Sequence, residues 1–332
     1  MGLTVLELCA GGGGQALGLE LAGFKTAAAA EIDPYGCATL RLNRPKWNVL
    51  ECDIKELRGH DYAGVDLVAG GVPCPPFSVA GKQLGKRDER DLFPEALRIV
   101  CEARPRAVML ENVQGFSSAK FAEYRGWIRD ELQAMGYGFT GKLLNASNFD
   151  VPQLRPRFLI VGVRKDCAES FRWPDEVPTA KTVGGVLVDL MSKNGWPGAI
   201  PWSLRANAIA PTIVGGSKKH GGPDLGPTRA KRQWAELGVD GLGIANESPD
   251  PSFPVDKMPK LTVRMVARLQ GFPDNWEFYG RKTASYRQVG NAFPPPVAQA
   301  VGLSIQRALT GVDGFRYRQE ANGQLAFVEE AD

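Results

Sequence analysis

The sequence predicts an α/β protein, a doubly wound and mostly parallel sheet joined to a smaller loop-rich domain. Three observations predict it: short apolar runs alternating with helical stretches up to about Arg164, a string of glycines directly after the first run, and a change of texture further on. Thr4-Val5-Leu6-Glu7-Leu8-Cys9, Thr26 to Ile32, Asp66-Leu67-Val68-Ala69 and Ala107-Val108-Met109-Leu110 are too short and too apolar for exposed helices and read as strands. Asn48 to Cys52 is a weaker strand pattern, and Phe158 to Val163 a strong late one. Strands alternating with helices build βαβ units around a parallel sheet. From about Phe171 to Pro259 the chain is rich in proline and glycine, carries four tryptophans and keeps little periodicity, the texture of a separate domain. Helical periodicity returns in Leu261 to Leu269 and from Pro294 to about Leu309. The expected division is therefore 1–170, 171–259 and 260–332, the last segment rejoining the first domain by about residue 290. The tail after Gly314 is polar and carries no signal.

A chain of 332 residues is long enough for two domains with buried cores. Its 43% hydrophobic and 23% charged residues exclude disorder and fibrous architectures. A net charge of +3 permits a nucleic-acid partner without indicating one, because an overall field steers ligands and does not identify them. No stretch approaches about eighteen consecutive apolar residues, and no charged amino-terminal segment leads into an apolar run, so a cytoplasmic protein free of membrane is expected. Cys9, Cys37, Cys52, Cys74, Cys101 and Cys167 form no C-x-x-C pair, and only His60 and His220 offer ring nitrogens, so no metal site is expected. Reduced thiols are mostly small buried apolar side chains. A reactive one must be picked out by its surroundings.

Gly11-Gly12-Gly13-Gly14 follows the first strand and opens a helix, where glycines let backbone amides approach a ligand closely. Such a turn alone could serve a dinucleotide, a nucleoside or only a tight bend. Glu31 ends the second strand, where a ribose-binding carboxylate belongs in a doubly wound fold, and Asp53 ends the third. Either acid could merely cap the helix that follows. Together with the glycine turn, a bound nucleoside is the better reading.

Cys74 lies in Gly71-Val72-Pro73-Cys74-Pro75-Pro76, just after the fourth strand on the same edge. Flanking prolines hold it rigidly, and Lys82, Lys86, Arg87 and Arg90 follow, where positive charge would favour a thiolate. Glu111 follows the fifth strand. Gln153-Leu154-Arg155-Pro156-Arg157 places two guanidiniums on one face, if extended. A thiol, a carboxyl and an arginine pair at one sheet edge have the makings of a nucleophile, an acid and a carbonyl or anion ligand.

These segments resemble the DNA cytosine-5 methyltransferase family, of the bacterial and phage modification type. The glycine turn, the Pro73-Cys74 turn, Glu111-Asn112-Val113, Gln153 to Arg157, Arg268-Leu269-Gln270-Gly271-Phe272-Pro273 and Gln288 to Pro295 stand in the family's order. The resemblance implies a Rossmann-like, S-adenosylmethionine-dependent catalytic domain with a target-recognition domain over 171–259. It implies Cys74 as nucleophile, with Glu111, Arg155 and Arg157 as further catalytic residues, and S-adenosyl-L-methionine held by Cys9, Ala10, Gly11, Gly13, Gly14, Gln15, Glu31, Ile32, Asp53, Ile54, Pro73, Leu92, Asn291 and Ala292. Arg157 is expected on the cytosine O2, with Arg155 orienting the loop or a phosphate, and Arg268 and Gln270 in supporting roles. Double-stranded DNA is the expected partner, contacted through Ser78, Lys82, Arg87, Lys218, Lys219, Arg229 and Arg232. The last four come from a basic, glycine-rich stretch read as a pliable loop. A monomer is expected, with a restriction endonuclease as a separate enzyme on the same sequence. Two departures stand out: Cys9 replaces the family's phenylalanine, and Met265 replaces the glutamate three residues after Thr262, which should abolish the reciprocal capping box. The nearest rival is a tRNA cytosine-5 methyltransferase of the same family, whose Cys-Phe-Thr element is absent here. A nicotinamide-dependent oxidoreductase or a silent DNA-binding module would leave Cys74, Glu111 and Arg157 without work.

Overall fold

The computed structural model describes residues 2–74, 91–216 and 222–311, together with the backbone of residues 316–319 and 325–328. In chain order the elements are β1 (Thr4–Leu8), α1 (Gly14–Leu21), β2 (Lys25–Glu31), α2 (Pro34–Asn43), β3 (Val49–Glu51), β4 (Leu67–Gly70), α3 (Phe93–Ala103), β5 (Ala107–Val113), α4 (Ala122–Ala134), β6 (Tyr137–Asn145) and β7 (Pro156–Arg164). There follow α5 (Lys165–Ala168), α6 (Val183–Ser192), α7 (Ala199–Arg205), α8 (Thr228–Glu236), α9 (Val263–Leu269), α10 (Lys282–Asn291), α11 (Pro295–Thr310), β8 (Arg316–Gln319) and β9 (Leu325–Val328). Each of the six runs read as strands forms one.

Seven strands make one sheet in the order β3-β2-β1-β4-β5-β7-β6. The first five run parallel, and β7 runs antiparallel to both β5 and β6. The chain winds outward through β2 and β3, then returns to the other side of β1 for β4. That reversal opens a crevice between the carboxyl ends of β1 and β4, where doubly wound sheets bind ligands. β6 has no counterpart among the expected strands. As an edge strand with glycines at 138 and 141 and a lysine at 142, it has no continuous apolar run to read. The β8–β9 pair lies in the tail that gave no signal.

Alternation along β1 sends Leu6 and Leu8 to one face, with Val68, Val108 and Leu110, against α3 and α4. Val5 goes to the other, with Leu67, Ala69 and Met109, against α1 and α11. There α11 lies so close to α1 that a Cβ on Gly18 would collide with the Pro295 carbonyl oxygen. A third cluster, including Leu187, Trp202, Trp234 and Leu261, reaches Ala10, Leu17 and Leu40 beneath the glycine turn.

Two expectations need correction. Thr262 does close a capping box on α9: its Oγ1 accepts the Met265 N–H at 3.3 Å, and Met265 Sδ accepts the Thr262 N–H at 3.4 Å. A thioether, though a weak acceptor, occupies the carboxylate's place. Arg229 and Arg232 do not belong to a pliable loop. They lie on α8, whose Trp234 is fully buried, so packing of one aromatic anchors a helix that flanking prolines and glycines had hidden.

Candidate active site

Register brings the chemistry to one edge. Leu8 lies opposite both Ala30 and Gly70, and Gly70 opposite Leu110, so the turns after β1, β2, β4 and β5 converge. Cys9 and Gly11 both take positive φ, 53° and 55°, which aims the turn over the strand ends. Glu31 Oε2 accepts the Gly11 N–H at 2.6 Å and its Oε1 the Asp33 N–H at 2.7 Å. A cavity of about 230 Å³ opens below.

Of the cofactor residues expected from sequence, Cys9, Ala10, Gly11, Gly14, Gln15, Glu31, Asn291 and Ala292 line this cavity. Gly13 faces away, and a Cβ there would lie 2.6 Å from Trp276. Ile54 is buried in the core below the sheet, Pro73 and Leu92 are joined by the Leu92 N–H to the Pro73 carbonyl at 3.1 Å, and Asp53 Oδ1 accepts the Lys55 N–H at 3.0 Å. Asp53 nonetheless acts with burial and Glu31 to push up the Cys9 thiol, which keeps it close to the glycine turn. Ile32 is 64% exposed and does not line the cavity. Glu7, Asp33, Arg287 and Phe293 also line the cavity, and the sequence reading does not find them. Glu7 reads from sequence as one more strand residue. Arg287 joins Asp33 across the mouth at 3.4 Å, a contact between residues far apart in the chain that no local pattern announces.

Cys74 lies just past the carboxyl end of β4, partly buried. Asn112 holds this turn by donating Nδ2–H to the Val72 carbonyl at 2.9 Å, and it hydrogen-bonds to the thiol. Burial pushes the Cys74 thiol up to about 11, against the lowering pull of Asn112. The thiolate expected from nearby positive charge is thus not favoured by the described residues. Ser78, Lys82, Arg87, Lys218 and Lys219 lie outside them. A Cβ on Gly71 would lie 3.1 Å from Glu111 Oε2, which sets that carboxyl against the backbone of the Cys74 turn.

Glu111 Oε1 meets Arg157 Nε at 2.7 Å. The pairing follows from register: Arg157 lies opposite Val113, and Glu111 is two residues back on the same face. Burial raises the Glu111 carboxyl above its usual range while both arginines pull it down. The group is thereby poised to give and take a proton.

Arg155 corrects an expectation. Its guanidinium, 1% exposed, donates to the carbonyls of Ile213 at 2.6 Å, Gly290 at 2.8 Å and Ala292 at 2.9 Å. It precedes β7, so the same-face rule for extended chain does not apply, and it points inward where Arg157 points to the edge. Gln153 extends this clamp, donating to Gln270 Oε1 at 2.5 Å and accepting from the Ile213 N–H at 2.9 Å. Arg155 therefore positions the cavity wall at Ala292 and does not face the cavity. A larger cleft of about 740 Å³, lined by Lys193, Glu247, Arg264 and Lys282 among others, contains none of the expected site residues.

A thiol, a carboxyl paired with a guanidinium, and a cavity at the open edge of the sheet can supply nucleophile, acid and carbonyl ligand to one small substrate. Comparison with known proteins says which chemistry this is. A model of the family described as C-5 cytosine-specific DNA methylase matches residues 3–307. The type II methyltransferase M.NaeI of Lentzea aerocolonigenes is 56% identical over 311 residues, 92% of this chain and 75% of the relative. M.NgoMIV of Neisseria gonorrhoeae is 53% identical over 315 residues, 93% of this chain and 99% of the relative. The crystal structure of a Spodoptera frugiperda DNMT2 mutant aligns with TM-score 0.63 over 92% of this chain and 99% of its own, at 20% identity, a likeness of fold alone. The chain belongs to the C-5 cytosine-specific DNA methylase family and is a DNA (cytosine-5-)-methyltransferase. Among the described residues no helix is long and apolar enough to cross a membrane.

Proposed function

We propose that the chain methylates C5 of a flipped-out cytosine in a specific duplex sequence, with S-adenosyl-L-methionine as donor and through a covalent adduct between Cys74 and C6. The observation that carries this reading is the convergence of Cys74, Glu111 and Arg157 beside the cavity under the glycine turn. The cavity fits the donor: Glu31 closes one end as a hydroxyl acceptor, a Cβ on Gly14 would collide with the Phe293 carbonyl oxygen, and Glu7 and Gln15 leave buried polar atoms without partners. When bound there, S-adenosyl-L-methionine supplies an electrophilic methyl group. Cys9 in place of a phenyl ring leaves less surface against an adenine.

C5 of cytosine is a poor nucleophile, and covalent addition at C6 activates it. The Cys74 sulfur adds to C6 as a thiolate while Glu111 gives its proton to N3, so no charge builds on the ring. Arg157 holds the O2 oxygen and supports Glu111. C5, now an enamine carbon, takes the methyl group. A water then removes the C5 proton, the C6–sulfur bond breaks to release the thiolate, and N3 returns its proton to Glu111. Because a thiol near 11 is mostly protonated at neutral pH, its proton passes to solvent water before the sulfur adds to C6. A stacked cytosine cannot reach these groups and must be extruded.

The division into a catalytic unit (1–170), a recognition unit (171–259) and a returning segment (260–332) belongs to this proposal, as do a cytoplasmic, nucleoid-associated monomer and a separate endonuclease on the same sequence. The exposed Arg229 and Arg232, three apart on α8, offer one face to DNA. Bisulfite sequencing of DNA from cells expressing the protein tests base, position and context together. Methylation should vanish in Cys74→Ala while donor and DNA still bind, and the wild type should be trapped covalently on 5-fluorocytosine DNA. An active Cys74→Ala enzyme would remove the central claim.

A further inference from the structure

Behind the Cys74 turn lie a buried carboxyl and a buried phenol to which the mechanism gives no work. Tyr124, in the first turn of α4 and 6% exposed, donates its hydroxyl to Asp91 Oδ2 at 2.5 Å. Asp91, 8% exposed, accepts on Oδ1 the Phe93 N–H that opens α3, at 3.1 Å. Leu92, between those two in the chain, donates its N–H to the Pro73 carbonyl at 3.1 Å. Pro73 immediately precedes Cys74. The turn that carries the thiol is therefore held at two consecutive carbonyls, Val72 by Asn112 of β5 and Pro73 by the start of α3. Leu92 caps α3 without a side-chain hydrogen bond, so Asp91 is what ties that helix start to α4.

Packing alone does not call for these polar groups. Phe93 stacks on Phe116 at 5.2 Å, and the Tyr124 ring meets both edge-on at 5.9 and 6.1 Å. A phenylalanine at 124 would fill that space as well, and burying a carboxyl beside a hydroxyl is unfavourable unless they bond each other. Both groups also stand within electrostatic reach of the sulfur, since Asp91 raises the Cys74 thiol and Cys74 acts in turn on Tyr124.

We propose that Tyr124 and Asp91 are positioning residues for the methylation reaction: through Leu92 they fix the carbonyl before Cys74, and with it the line along which the sulfur approaches C6. The inference rests on the reading of Cys74 as the nucleophile. A turn pinned at one carbonyl can still swing about it, and the second pin removes that freedom. Misplacing a reacting atom by about 1 Å can slow a reaction on the order of a hundredfold. The Tyr124 hydroxyl acts only through Asp91, so the two side chains work as one unit. Neither touches the substrate, so their loss falls on bond formation to C6 and spares the binding of DNA and donor.

Rapid-quench trapping of the full chain on 5-fluorocytosine DNA, with saturating S-adenosylmethionine, reads adduct formation directly, and rates are taken per folded site counted by donor binding. Tyr124→Phe keeps the ring and should slow trapping about tenfold or more, with DNA and donor affinities within about twofold of the wild type. Asp91→Ala should slow it at least as much, because it frees the Phe93 N–H as well. Adding Tyr124→Phe to Asp91→Ala should change the rate by less than about twofold. Trapping by Tyr124→Phe at the wild-type rate, or a loss confined to binding, would overturn the inference. So would a double variant in which the two losses multiply, since the hydroxyl would then act by another route. Cys74→Ala separates this inference from the reading beneath it. An adduct trapped in that variant removes the nucleophile itself, whereas no adduct there, together with an unimpaired Tyr124→Phe, removes only the positioning role.

Discussion

Arg155→Ala is expected to damage the fold, where Arg157→Ala damages the chemistry. Arg155 donates three hydrogen bonds, at 2.6, 2.8 and 2.9 Å, to carbonyls of Ile213, Gly290 and Ala292. Truncation leaves the carbonyls of Ile213 and Gly290 without this donor and Ala292 with only Gln270 Nε2 at 3.3 Å, at about 1–1.5 kcal/mol for each bond lost, which makes a loss of about 3–5 kcal/mol, in the range found when one partner of a buried charged contact is removed. Chemical unfolding followed by both tryptophan fluorescence and far-ultraviolet circular dichroism should show a lower midpoint. Donor affinity should fall too, because Ala292 lines the cavity. Arg157 is different. Its Nε is on Glu111 and the two side chains are only 11% and 12% exposed, so Arg157→Ala should cost about 1–3 kcal/mol of stability, less than the Arg155 clamp because Glu111 can take up a proton, and lose about a hundredfold or more in single-turnover methyl transfer. An Arg155→Ala protein that unfolds like the wild type yet is inactive would mean that Arg155 acts on the substrate, and the clamp reading would be refuted.

The Cys74 thiol, pushed up to about 11 by burial, is protonated at neutral pH, and its thiolate fraction grows as pH rises toward that value. Single-turnover rates should therefore climb between about pH 6 and 9, and a flat profile would place the controlling proton elsewhere. Glu31→Ala should weaken donor binding by about 1–2 kcal/mol, since it removes a charge-assisted acceptor and frees the Gly11 N–H, and Asp53→Ala should do so less. Unchanged calorimetric affinity in both variants would undo the pocket assignment. Replacing Lys218 and Lys219 with alanine should weaken binding to all DNA alike and flatten its salt dependence, whereas changing Arg229 or Arg232 on α8 should relax base preference. Four variants that leave affinity, salt slope and preference unaltered would move recognition to another surface.

Much of the site was legible because it sits on local signals. Each of β1, β2, β4 and β5 is a short apolar run that carries, at its carboxyl end, a residue type with evident chemistry. These are the glycines after β1, Glu31 on β2, Cys74 after β4 and Glu111 on β5. Parallel winding then sends all those ends to one edge, so alternation alone sufficed to gather them. The antiparallel β7 kept Arg157 in reach of Glu111 through a register that sequence does not print. Arg155, two residues earlier, resembled Arg157 in everything but the backbone: it lies before the strand begins, and the chain turns it inward.

By itself the sequence determined the sheet class, the glycine turn, and the candidate nucleophile and acid, since these depend on residue type and on strand periodicity. The tertiary structure alone decided which polar groups are engaged by the protein and which remain for a ligand. Arg155 is consumed by three carbonyls from distant segments, Thr262 finds a thioether where a carboxylate was expected, and Glu7 and Gln15 are left bare in a shared cavity. The Arg155 bond to Ala292 joins residues 137 positions apart. Such geometry exists only after packing has brought those segments together, and burial then sets the charge each group carries.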